Sequence, residues 1–174
     1  MFKHEGLSKE FEWVTKESEK KHIGEAISKT SFEMQEIAYS LITGDNDSVD
    51  VLTKKSLENG ISANEILDDG LLNGMAIVGV KFRDNVIFVP EVLISARAMK
   101  AGMAHIEPIL SESGIEPQGT VLIGTVKGDI HDIGKNLVSM MMEGAGFEVI
   151  EDDYINTLDP KLVERYALPK GEII

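Results

Sequence analysis

Gly124-Thr-Val-Lys-Gly-Asp-Ile-His-Asp-Ile-Gly-Lys-Asn-Leu137 is the stretch that decides the fold of this 174-residue chain. Just before it, Thr120-Val-Leu-Ile-Gly-Thr-Val126 is a short β-branched run interrupted by glycine, which reads as a buried strand. A glycine-containing loop follows, then apolar residues Leu137, Val138, Met140 and Met141 at helical spacing from about Ile133 to Gly144. Gly146 closes that helix, and Phe147 to Ile150 reads as a second strand. Strand, loop, helix and strand at this length open a parallel α/β sheet. In such sheets ligands sit at the carboxyl ends of the strands, where this loop lies.

The loop carries Asp129, His131 and Gly134 as Asp-x-His-x-x-Gly. A histidine here can offer one ring nitrogen to a cofactor lying across the sheet edge. A carboxylate two residues earlier can accept a hydrogen bond from the other ring nitrogen, which fixes the tautomer and makes the ligating nitrogen a better donor. Gly134 leaves room beside a large planar ring, and Gly128, next to Lys127, lets the loop turn sharply. A phosphate-binding loop fails, because five residues rather than four separate Gly128 from Gly134, and Asn136 stands where Ser or Thr should bind magnesium. A dinucleotide-binding glycine pattern fails on spacing as well. The plain alternative is a loop histidine paired with Asp129. Motif, strand-end position and flanking glycines together favour the ligand.

The first half reads as helix after helix. Leu7, Phe11 and Val14 suggest an amphipathic N-terminal helix, and Ser31 to Thr43 a second. A third covers about Val49 to Asn59 and stops at Gly60; Gly44 to Asp47 forms the turn or helix start before it. Ser62 with Glu65 makes a capping box for a fourth helix that runs to about Val80, before a charged turn from Lys81 to Asn85. Pro90 opens a fifth, Glu91 to about Ser113, in which Pro108 should kink the helix or split off its last turn. Ile115 to Gly119 is rich in breakers and serves as a linker. The expected class is α/β: an N-terminal helical bundle followed by the start of a Rossmann-like domain.

Composition bounds the function. Thirty acidic residues against 17 basic ones give a net charge of −13, which repels phosphate backbones, so no nucleic-acid partner is expected. With no cysteine, disulfides, thiolate-held clusters and cysteine nucleophiles are excluded. The N-terminus has no apolar core of signal-peptide length and no apolar run is long enough to span a bilayer, so a cytoplasmic location without membrane contact is expected. His4, His22 and His105 are scattered, and no nucleophile–base pair is visible.

The Gly124 to Leu137 stretch resembles the cobalamin-binding signature of methionine synthase and of the corrinoid proteins serving methanol, methylamine and methoxy-compound methyltransferases. Asn85-Val-Ile-Phe-Val-Pro-Glu-Val-Leu-Ile-Ser-Ala-Arg-Ala-Met99 is similar to the end of their helical cap domain, and the resemblance runs from about Ser31 to Ile150. It implies a helical extension over 1–30, a cap over 31–114 and a truncated Rossmann-like (flavodoxin-like) cobalamin-binding domain over 119–174. Cobalamin or a related corrinoid would be the cofactor. His131 would be the lower axial cobalt ligand, Asp129 its orienting partner, and Gly134 the neighbour of the displaced nucleotide tail.

Phe88 and Val92 would contact the upper, methyl-bearing face; plain bundle core is the alternative for both and the better reading for Val92, and Met99 and Met103 default to core filling. The implied role is methyl carriage between a substrate methyltransferase and an acceptor methyltransferase, with a reductive activator as a further partner and no catalysis by the chain alone. The family's Ser-x-Leu segment cannot follow, since no serine lies beyond Ser139. A two-stranded sheet would leave edges that a second copy could cover. A cobalamin-sensing module or a carrier that has lost methyl transfer is the alternative.

Overall fold

The computed structural model describes residues 2–112, 118–124, 135, 138–139, 142–143 and 146–152. Helices α1 (Glu5–Phe11), α2 (Glu17–Lys29), α3 (Phe32–Thr43) and α4 (Asn46–Glu58) are followed by a single turn, α5 (Ala63–Glu65). A π-helical segment (Ile66–Leu72) leads into α6 (Asn73–Arg83), and α7 (Val89–Glu112) ends the bundle. Strands β1 (Thr120–Gly124) and β2 (Glu148–Asp152) pair in parallel, Thr120 opposite Glu148 and Gly124 opposite Asp152. Lys135, Val138, Ser139, Met142 and Glu143, from the connection between the strands, are helical. The expected bundle and the parallel α/β opening are both present.

Local chemistry sets the helix ends. Ser31 Oγ accepts the Met34 N–H at 3.3 Å to start α3, and Gly44 ends it at φ 76°, a left-handed conformation suited to glycine. Asp45 caps α4 by accepting the Ser48 N–H at 3.0 Å, so that helix begins three residues before the expected Val49. Ser62 Oγ accepts the Glu65 N–H at 3.2 Å, as the capping pattern predicts.

Three expectations are corrected. The N-terminal stretch is two helices, because α1 ends at Phe11 in a turn that closes with Val14 N–H on the Phe11 carbonyl; Val14 nevertheless reaches the core. The fourth helix is not regular: it widens to a π-helix between Ile66 and Leu72, then continues through Lys81 to Arg83 where a charged turn was expected. Of the two outcomes expected at Pro108, splitting is the one corrected: α7 runs on to Glu112, with buried Ile106 and Leu110 on either side of the proline.

The core is aliphatic: Met34, Ile37 and Leu41 of α3 meet Ile66, Leu71, Ile77 and Val78, with Val92, Ala98, Met99 and Ile106 from α7. Close approach between helices depends on small residues. A Cβ on Gly74 would stand 3.0 Å from the Ala38 carbonyl oxygen, and one on Gly102 2.9 Å from Leu71. The N-terminal helices are tied on by buried Gln35, whose Oε1 accepts the Lys3 and His4 N–H groups while its Nε2 donates to the Ile27 carbonyl. His105 Nε2 lies 2.7 Å from Asp50 Oδ1 and joins α7 to α4. Across the two halves, Lys100 of α7 pairs with Glu143 at 3.0 Å. No helix among the described residues is long and apolar enough to cross a membrane.

Candidate functional site

Of the expected site residues, Lys127, Gly128, Asp129, His131 and Gly134 lie outside the described residues. Their setting is described on both sides. β1 delivers the chain to Gly124 beside the carboxyl end of β2, the edge where an open parallel sheet receives ligands. Beyond the loop, Lys135 Nζ reaches Glu151 Oε2 at 3.0 Å. That ammonium, with the Ser139 hydroxyl close by, holds the Glu151 carboxyl below its ordinary value. The pair ties Lys135 of the connection to β2. Among the described residues no group of three His, Asp or Glu side chains could hold a metal.

On the cap, Phe88 and Val92 separate sharply. Val92 is fully buried in the bundle core, where its core-filling alternative would put it, whereas Phe88 is 61% exposed. The backbone around Phe88 is nonetheless held on both sides. Asn85 adopts φ 57°, and the Lys81 carbonyl accepts the Val86 N–H at 2.8 Å and the Ile87 N–H at 3.3 Å, closing α6 in a left-handed turn. Ile87 packs against the core. The Phe88 N–H then donates to Glu91 Oε2 at 3.1 Å, and the Phe88 carbonyl accepts the Val92 N–H. The start of α7 is fixed further by Ser95 Oγ, which donates to the Ile42 carbonyl at 3.3 Å, and by Ile94, which occupies the space a Cβ on Gly44 would need.

Burying a large apolar ring on a partner is favourable, and holding it out in water on an anchored backbone suits a ring that something else will cover. A flat macrocycle fits that need. The edge of the parallel sheet is followed in sequence by Asp129 and His131, and an imidazole is a residue type that can donate nitrogen to cobalt. These residues suit a corrinoid.

The pattern of residues also matches known proteins. Residues 33–107 match the family described as B12 binding domain. Over that stretch the helical bundle is similar to the B12 binding domain family. A corrinoid protein of Desulfitobacterium hafniense is 37% identical over 121 residues, 68% of this chain and 56% of that protein. The dimethylamine corrinoid protein of Methanosarcina barkeri is 39% identical over 117 residues, 67% of this chain and 54% of that protein. The chain thus spans about half the length of these curated relatives.

Among solved structures, the methanol:cobalamin methyltransferase complex MtaBC of Methanosarcina barkeri superposes with a TM-score of 0.70 at 27% identity, covering 88% of this chain and 60% of that one. A cobalamin-binding protein of Desulfitobacterium hafniense DCB-2 superposes with a TM-score of 0.59 at 23% identity, which shows the shared fold. The helical cap with a Rossmann-like second part and the kinship with corrinoid proteins are therefore as the sequence resemblance implied. Corrinoid is the cofactor class of this family.

Sequence reading missed two contributors. Glu91 reads as a first-turn helix residue, yet Phe88 and Glu91 stand three apart as the cap position and third residue of α7, the spacing of a capping box. Lys135 to Glu151 joins residues sixteen apart, and no local pattern encodes it.

Proposed function

We propose that this chain is the carrier of a corrinoid-dependent methyltransferase system, holding cobalamin or a related corrinoid through His131. It would present the methyl group to a substrate-specific methyltransferase and then to an acceptor methyltransferase. The observation that carries this reading is the order of parts: a B12-binding helical domain with an anchored, exposed Phe88, then a parallel strand that ends at Gly124, where the Asp129-x-His131-x-x-Gly134 stretch begins.

When bound, cobalt would supply the centre that accepts and releases the methyl group. The chain's own residues ligate, orient and shield. His131 would hold the corrinoid through a ring nitrogen, while Asp129 would accept the hydrogen bond of the other nitrogen and raise the basicity of the ligating one. Gly128 and Gly134, which carry no side chain, would leave room for the ring, and Lys127 would belong to the same cofactor-binding stretch. Phe88 would shield the bound corrinoid from water, and Val92 packs in the core one turn behind it. The division 1–30, 31–114 and 119–174 goes with this reading.

The partners would be a substrate-specific methyltransferase and an acceptor methyltransferase. That one structural relative is a complex with a methyltransferase supports such a partner, and a reductive activator would serve the same cycle. A second copy of the chain is a further candidate partner, since the sheet among the described residues has two strands and so two outer edges.

The test is direct. Full-length protein is incubated with hydroxocobalamin, freed of excess by gel filtration, and its visible spectrum recorded. Stoichiometric corrinoid travelling with the protein is expected, together with no turnover of methanol, methylamines or betaines until a methyltransferase is added. Protein that elutes colourless contradicts the reading, as does multiple turnover by the chain alone.

A further inference from the structure

We infer that Glu91 is a positioning residue, its carboxylate fixing the backbone of Phe88 so that the ring is held ready over the face of a bound corrinoid. The inference rests on the corrinoid-carrier reading for its ligand, but on geometry for its mechanism. An aromatic side chain that is 61% exposed makes few contacts of its own to fix where it stands. Its place must then come from the backbone beneath it. Upstream, the turn at Asn85 and the double use of the Lys81 carbonyl bring the chain to Ile87, which is anchored in the core. Downstream, α7 is locked by Ser95 on the Ile42 carbonyl and by Ile94 against Gly44.

Between these two anchors the Phe88 N–H precedes the first helical residue and has no helical acceptor, one of the orphan donors of a helix start. The Glu91 carboxylate takes it, at 3.1 Å. Without that acceptor the N–H turns to water and residue 88 gains freedom in the one place where the ring's aim is set. A charge at the start of α7 would also favour the helix whatever it touches. The two roles differ in what a glutamine at this position can do: Glu91→Gln keeps an oxygen that accepts the N–H but removes the charge.

The experiment compares wild type, Glu91→Gln, Glu91→Ala, Phe88→Ala and the Phe88→Ala/Glu91→Ala double variant, all as full chains. In the ligand-free protein, hydrogen exchange at the residue 88 amide is followed by NMR. Glu91→Ala should speed it about tenfold, Glu91→Gln should leave it within about twofold, and the melting temperature should barely move. Hydroxocobalamin affinity is then measured by titration in the visible spectrum. Glu91→Ala should weaken binding by about three- to tenfold, Glu91→Gln should rescue it, and the double variant should bind no worse than Phe88→Ala alone, because the carboxylate acts through the ring.

Equal losses in the glutamine and alanine variants, or additive losses in the double variant, would overturn the inference in favour of a helix-charge role. Wild type that exchanges the residue 88 amide at the rate of the alanine variant would overturn it too. Should wild type bind no hydroxocobalamin, the carrier reading fails and takes the ligand with it, while the exchange rates separately decide whether Glu91 holds residue 88.

Discussion

Lys81 of α6 donates to the Glu10 carboxylate of α1 across 71 residues of sequence, with only 11% and 23% of the two side chains exposed. The pair lies one turn before the segment that carries Phe88, and the same Lys81 supplies the carbonyl that closes the turn at Asn85. The N-terminal helices therefore brace the helix end from which the cap residue is presented. Removing one partner of a largely buried pair strands the other charge. Lys81→Met should lower stability by about 2–3 kcal/mol, and the Lys81→Met/Glu10→Leu double variant should regain a good part of it. Urea denaturation of the four proteins in a double-mutant cycle measures both; strict additivity would mean the pair is uncoupled.

Two glycines of α6 should respond in opposite directions. A Cβ at Gly74 would meet the Ala38 carbonyl oxygen at 3.0 Å and the Ala38 Cα at 3.2 Å, backbone atoms that cannot move aside cheaply. Gly74→Ala should destabilise by roughly 1–3 kcal/mol by forcing α3 and α6 apart. At Gly79 nothing lies within 4 Å, so Gly79→Ala gains helix propensity without a clash and should stabilise by up to about 1 kcal/mol. Thermal melts of the two variants decide it.

Much of this was legible in the sequence, for physical reasons that particular residues show. Ser31, Gly44, Gly60 and Ser62 mark helix ends through contacts within three or four residues, and the bundle formed where they said it would. The change from helical period to the β-branched run at Thr120 located β1. The π-helical widening at Ile66–Leu72 was not legible, since it reflects packing of Gly70 and Leu71 against α3 and α7 rather than any local preference. Lys81 read as part of a charged turn because its partner is 71 residues away. Of the site, Phe88 could be named from its motif, but its anchoring by Glu91 needed the structure. His131 and Asp129 remain carried by sequence pattern.

Acid should act on two aspartates with opposite sign. The Ser48 hydroxyl and N–H hold the Asp45 carboxyl below its ordinary value, so the folded state favours the ionised form. Its contribution is present above the usual aspartate range and is lost as pH falls through the depressed value. Asp69 is raised by burial and by the neighbouring Asp68 charge, so the folded state favours its protonated form, and stability is lost as pH rises through the raised value. Asp45→Ala should therefore cost about 1 kcal/mol at neutral pH and less in acid. Asp69→Asn should stabilise at neutral pH and make little difference below its raised value. Denaturation midpoints between about pH 3 and 7 check both signs.

The parallel pair should depend on its closing contact as well. Lys135→Ala removes the charge that holds Glu151 low, leaving the carboxyl nearer its ordinary value. NMR titration of Glu151 should show the upward move, and protection of the β1 and β2 amides should fall while α3 to α7 stay unchanged. Loss of protection throughout the bundle would mean the two halves do not open separately.

Ligation of cobalt by His131 is the centre of the account, and paramagnetic resonance of the reduced cob(II) protein reads it most directly. Protein grown on nitrogen-15 histidine and loaded with hydroxocobalamin, then reduced, should show axial nitrogen splitting changed from the triplet of nitrogen-14 to the doublet of nitrogen-15. His131→Ala should remove the labelled splitting, and Asp129→Asn should keep it. A wild-type splitting that ignores the label, or a nitrogen-15 splitting that survives in His131→Ala, would contradict the assignment of His131 as the lower axial ligand.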